Sequence, residues 1–164
     1  MIISPHLIVG AVIGAKTHNF GLIIALGIVS HFIIDMIPHW DYSIYNLLNF
    51  SQNKKFRKII WDLIKMMVDG LFGLLIVLLI IKQKNLLNSR SIILISCGIL
   101  ISLLPDVLWG ICSLFYKFKI SKKYIAIHHF FHRIGEAKKE SKSTFLGLAT
   151  QILVIIIALF IFFF

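Results

Sequence analysis

This chain has little acid. Its 164 residues include seven Asp and Glu against 17 Lys and Arg, for a formal charge of +10. Cysteine is scarcer still: Cys97 and Cys112 fall in one apolar run. On a single helix they stand about 22 Å apart, which excludes a disulfide between them, so they read as buried thiols that are silent on redox compartment. No polar stretch is long enough for a second domain, and none offers a separate unit to bind nucleic acid, so the positive charge is not read as a nucleic-acid signal. The first residues lack a basic leader region and a clear cleavage site, so no removable signal peptide is expected.

What is present is hydrophobic: 59% of residues are apolar and the mean hydropathy is +0.92. A soluble domain this short exposes too much of its surface to hide that content, whereas lipid removes the problem. The expected fold is all-α, one integral membrane domain over 1–164. It would contain four to five transmembrane or re-entrant helices plus one basic amphipathic interfacial helix. Apolar runs and breakers predict helices over 5–15, 20–37, 59–81, 91–116 and 144–164, with the interfacial helix over 121–140. Ser4-Pro5 is a helix start, Pro38 a stop, and Pro105 an internal kink. The first run is short for a full span, so the first two helices are expected as a hairpin that dips or crosses. Gly10 and Gly14, like Gly70 and Gly73, read as close-packing positions. The final run, without an ionisable residue, reads as an anchor.

The basic residues orient this bundle. Lys54, Lys55, Arg57 and Lys58 follow the second helix, and eight more fall between Lys117 and Lys142. These places share one side, while Lys16, Lys82, Lys84 and Arg90 mark the other. The positive-inside rule makes the first side cytoplasmic, in a multi-pass protein of a bacterial-type inner membrane. The segment Lys117–Lys142 would meet anionic lipid headgroups.

The few acids follow the same geography. Asp35, Asp69 and Asp106 lie within apolar helices, where an ionisable group costs roughly 2.5–3.5 kcal/mol on insertion scales and is there for a partner or a function. His31 and Asp35 share a helix face, as do His128 and His132, with Glu136 continuing that stripe. His39 and Asp41 follow Pro38, and Asp62 lies two turns before Asp69. His6 joins them if the first helix crosses. Imidazole nitrogen and carboxylate oxygen form the ligand set of Zn²⁺ and related divalent ions, and a cation offsets repulsion among buried acids. The expected metal ligands are therefore His6, His31, Asp35, His39, Asp69, Asp106, His128 and His132. Asp41, Asp62 and Glu136 are the candidates for general base or for orienting the ligands. Alternatives stand beside these readings. His31 can be a core histidine bonded to a helix carbonyl, Asp62 can pair with Lys65 or Lys58, and Asp69 can pair with Lys65.

The run Ser30-His31-Phe32-Ile33-Ile34-Asp35-Met36-Ile37-Pro38-His39-Trp40-Asp41 carries the strongest family signal. Together with His6 before Gly10 and Gly14, Leu104-Pro105-Asp106, and His128-His129-Phe130-Phe131-His132, it resembles the bacterial membrane-bound metal-dependent hydrolase-like proteins. That family looks distantly like zinc-dependent phospholipase C, whose metals sit on His-x-x-x-Asp and His-x-x-x-Glu pairs. His31/Asp35 and His132/Glu136 match those pairs in type and spacing. The longer ligand series of the soluble enzymes is not reproduced, so the resemblance implies one or two ions, zinc by preference. The implied activity is phosphoester or phospholipid-like hydrolysis at the cytoplasmic membrane interface. The competing expectations are a divalent-cation or proton-coupled carrier, whose path needs polar groups in both membrane halves, and a non-catalytic protein with a closed structural metal site.

Overall fold

The computed structural model describes residues 2–48, 56–137 and 144–164. Among them every regular element is a helix: α1 Ile3–Lys16, α2 Phe20–Asp35, α3 Tyr45–Leu48, α4 Phe56–Gln83, α5 Ser89–Leu114, α6 Lys119–Ala137 and α7 Thr144–Phe163. Helices α4, α5 and α7 are long and apolar enough to cross a membrane, and α1 and α2 are shorter apolar helices. The chain is an all-α membrane bundle. Large apolar side chains such as Met67, Leu71, Leu75, Leu100, Ile156 and Phe160 face outward, as a lipid-solvated surface requires.

The shortest of the apolar helices is the most enclosed. Nine of the 14 residues of α1 are buried, and it packs against α2, α4, α5 and α7. Its small residues explain the close fit to α5. A β-carbon on Gly10 would lie 2.5 Å from the Gly98 carbonyl oxygen and 2.8 Å from Ser102 Cβ, and one on Gly14 would collide with the Leu94 carbonyl. Gly73 of α4 lies against Ser4, whereas Gly70 has open space in front of it, so its expected packing role does not hold.

Two contacts mark the end of the bundle away from the cluster described below. Lys84 Nζ donates to the Phe163 carbonyl at 3.4 Å, and Lys16 lies 6.0 Å from the Phe162 ring. The last turns of α1, α4 and α7 therefore meet at this far end. The short α1 reaches it because it starts deep, beside the middle of α4. A helix start buried there cannot give its free N–H groups to water, and Ile2 supplies no side-chain cap. Asp69 does so from α4: it accepts the Ile3 N–H at 2.5 Å, the Ser4 N–H at 3.4 Å and the Ser4 hydroxyl at 2.6 Å.

Two expectations change at this level, while the expected place of Pro105 inside a helix holds. Helix α2 ends at Asp35, with Met36 as its cap, rather than at residue 37; the residue before a proline is pushed out of the helical region, so the end is set upstream of Pro38. The stretch 39–58, outside the expected helices, contains the short helix α3. Pro105 sits inside α5 without ending it. The expected tail of the interfacial helix, 138–140, lies outside the described residues, as does the loop with Lys54 and Lys55.

Candidate metal centre

The second half of α2, the first turns of α1, Asp106 on α5 and the inward face of α6 converge at the end of the bundle opposite Lys16 and Lys84. His6 projects from α1, His31 and Asp35 from α2, Asp106 from α5, and His128 and His132 from α6. His39 follows from the segment after α2. His6, His31 and Asp35 are fully buried, and His39 and His128 nearly so.

Asp35 is the hub. Its Oδ1 lies 3.2 Å from His6 Nε2, and its Oδ2 lies 3.1 Å from both His31 Nε2 and His132 Nε2. Asp106 Oδ1 lies 3.2 Å from His128 Nε2 and 3.7 Å from His31 Nε2. The rings crowd as well, with His6 stacked on His31 at 4.4 Å and His128 beside His132 at 4.9 Å.

At three of these nitrogens the short distances are not hydrogen bonds. His6 Nε2, His31 Nε2 and His128 Nε2 are buried and none has a hydrogen-bond partner. For His31 the tautomer explains why. Its Nδ1 lies 2.9 Å from the Ser102 carbonyl oxygen, which only accepts, so the proton is on Nδ1 and the Nε2 lone pair faces two carboxylates. Lone pairs turned on carboxylate oxygens repel unless something positive lies between them. Donor atoms about 2.0–2.2 Å from one ion lie roughly 2.9–3.6 Å apart at octahedral to tetrahedral angles, and these separations fall close to that range. Two sets of donor atoms lie within 4.8 Å of one another: His31, Asp35, Asp106 and His128, and Asp35, His39 and His132. Asp35 belongs to both. This buried group of His and Asp can hold a metal ion.

Several neighbours orient the ligands, as outer partners do in metal sites. Ser102 fixes two at once: its carbonyl takes the His31 proton while its hydroxyl donates to the His6 carbonyl at 2.9 Å. Tyr124 donates to the Pro105 carbonyl at 2.9 Å, next to Asp106. Burial, and then the Asp106 charge, push the Tyr124 hydroxyl up to about 12, so it remains a donor. His39 Nδ1 donates to the Ile37 carbonyl at 2.7 Å, and its Nε2 meets Asp41 Oδ2 at 2.9 Å. Burial opposes the charged form of Asp41, but the His39 hydrogen bond outweighs it and holds the carboxyl down at about 2. So weak a base is ill suited to proton abstraction near neutral pH.

Helix α7, expected only as an anchor, clamps the His39 segment. A β-carbon on Gly147 would lie 2.6 Å from Trp40 N. Thr150 donates to the Pro38 carbonyl and Gln151 Nε2 to the Trp40 carbonyl. Gln151, the most polar side chain in an otherwise apolar span, was the sequence signal for this contact. Ser102 had no comparable signal.

Seven of the eight expected ligands thus meet, and Asp69 does not. Its carboxylate caps α1 and accepts the Tyr42 hydroxyl at 3.2 Å, a proton that burial and then Asp69 itself hold in place well above the usual tyrosine range. The alternative pairing of Asp69 with Lys65 is not what is found either. Asp62, expected near the reacting groups, pins α3 to α4: it accepts the Asn46 N–H at 2.9 Å and the Leu47 N–H at 3.3 Å, and pairs with Lys65 at 3.1 Å. The Lys65 alternative is the one realised there. Glu136 falls in the last turn of α6, and its side chain lies outside the described residues. No protein-family model, no curated protein and no solved structure matches the chain.

Proposed function

We propose that this protein is a membrane-embedded, metal-dependent hydrolase of phosphoesters, with zinc as the preferred ion and one or two ions per chain. The observation that carries the reading is Asp35, a buried carboxylate shared by two donor sets of His and Asp, with the His31 Nε2 lone pair turned on it. Neutral imidazole with carboxylate suits Zn²⁺. A divalent ion bound there supplies Lewis-acid polarisation of a phosphoryl oxygen and lowers the pKa of water toward about 7. The chain's own groups do the rest. The Ser102 and Ile37 carbonyls hold His31 and His39 in one orientation, and the surrounding helices exclude bulk water from Asp35. Net hydrolysis adds hydroxide to phosphorus, breaks the ester P–O bond and leaves the water's proton on the departing alcohol.

The resemblance to membrane-bound metal-dependent hydrolases supports the same reading, and the excess of Lys and Arg near the cluster end favours a site on the cytoplasmic side of a bacterial-type inner membrane. Lys119, Lys122, Lys123 and Arg133 of α6 favour contact with anionic headgroups there. A carrier needs a polar path onward from the cluster. Toward the far end, Leu7, Ile8, Ala11, Val12, Val77 and Ile80 fill the centre of the bundle, which favours hydrolysis over transport.

Metal analysis of the purified protein beside a phosphodiesterase assay tests the proposal. Stoichiometric zinc and metal-dependent turnover, both lost in His31→Ala and Asp35→Asn, are expected. Folded wild-type protein that takes up no metal would overturn it.

A further inference from the structure

A cavity of about 650 Å³ opens beside the cluster, within the roughly 300–1,000 Å³ typical of ligand sites. One end is polar, formed by Asp41, Asp106, His128 and His132. The rest is an apolar wall in which Leu103, Val107, Ile111 and Leu114 of α5 face Leu47 and Met66. The spacing of the four α5 residues makes one continuous stripe, on a helix apolar enough to cross the membrane.

Two further features mark this wall as more than general lipid surface. Gly110 lies in the wall, and nothing stands within 4 Å of where its β-carbon would be. It is not a helix-packing glycine like Gly10 or Gly98; its missing side chain keeps the cavity open. Trp109 lines the cavity and stacks on His128 at 5.8 Å, and its buried indole N–H has no acceptor. Trp109 thus joins the cavity wall to His128 of its polar end.

We propose that the cavity seats one acyl chain of a glycerophospholipid along the Leu103–Leu114 stripe, with the phosphoester headgroup at the His/Asp cluster; the fate of that headgroup rests on the hydrolase reading, the seating of the chain does not. Gly110 is then a specificity-determining position, because a larger side chain there fills the space of the chain without meeting another helix.

The test uses the full chain in vesicles of phosphatidylglycerol carrying a diazirine in one acyl chain. Irradiation is expected to label 103–114 of α5 more heavily than the lipid-facing side of α7 around Ile156 and Phe160. Gly110→Trp should cut the α5 label about tenfold, equivalent to ~1.4 kcal/mol, while the α7 label and bound metal stay unchanged. Gly110→Leu serves should the larger residue fail to fold, and Gly70→Trp, on an equally open position of α4 outside the cavity, should change nothing. In turnover, Gly110→Trp should raise KM for phospholipid and spare a water-soluble phosphodiester. Equal labelling of α5 and α7, or an α5 label indifferent to Gly110→Trp, overturns the proposal. Heavy α5 labelling without hydrolysis of any phosphoester removes the hydrolase reading and leaves the chain site standing.

Discussion

Asp35 and Asp69 are both carboxylates set in apolar helices, yet their surroundings differ in kind. Asp69 is surrounded by hydrogen-bond donors: two backbone N–H groups at the start of α1, the Ser4 hydroxyl and the Tyr42 hydroxyl. Asp35 is approached instead by nitrogens of His6, His31 and His132, and those of His6 and His31 are not aligned to hydrogen-bond. A carboxylate with a full set of donors is already compensated in a low-dielectric interior and needs nothing more. At Asp35 the His31 lone pair is turned on a carboxylate oxygen, an arrangement that a cation would relieve. The fold itself compensates Asp69, whereas the group around Asp35 can hold a metal ion.

Substitutions separate the two roles. Asp35→Asn should abolish metal binding and lower turnover by at least about a hundredfold, more than the loss of a group that only orients a ligand, with the bundle still folded. Asp69→Ala should do the reverse. It leaves N–H and O–H groups without an acceptor inside the bundle, at roughly 1–3 kcal/mol of stability each, while the folded fraction keeps its metal. The comparison breaks if Asp69→Ala loses metal in folded protein, or if Asp35→Asn keeps it.

Chelation sharpens the contrast at the next level. Removing the ion leaves the His31 lone pair facing Asp35 and Asp106, so the wild type should show a lower Tm in chelator, as expected for an ion bound only by the folded state. Asp35→Asn should not respond to chelator. Smaller again is the effect of Asp41→Asn, which leaves the ligands present but removes a carboxylate charge beside His39 Nε2; about 10-fold weaker metal binding is expected by titration. Gly147→Ala displaces the Trp40 backbone from α7 and should produce a loss of similar or lesser size, visible as weaker metal binding with the other helices undisturbed.

Much of this architecture was legible because membrane helices announce themselves by length and composition. The three long spans, the basic interfacial segment and the gathering of His and Asp at one end follow from hydropathy and from counting residues between breakers. His31/Asp35 and His128/His132 were readable because a spacing of four fixes a shared helix face. Asp69 and Asp62 were not. Spacing along one helix says which residues share a face but not which neighbour that face meets, and both acids turn to the start of another helix, α1 for Asp69 and α3 for Asp62. The depth at which α1 begins was hidden for the same reason, and with it the demand for a buried cap. Helix α7 looked like an anchor because nearly every residue suits lipid, yet Gly147, Thr150 and Gln151 turn one face toward the His39 segment. Gly70 and Gly73 show the limit from the other side: three residues apart on one helix, only Gly73 meets a neighbour.

The most direct test is a structure of the purified protein grown with zinc, with anomalous scattering collected at the metal edge. The account predicts an anomalous peak about 2.0–2.2 Å from His31 Nε2 and an Asp35 oxygen, absent from Asp35→Asn crystals. Wild-type crystals in which the same side chains keep their places around Asp35, with no anomalous peak and with a Tm indifferent to chelator, would contradict it.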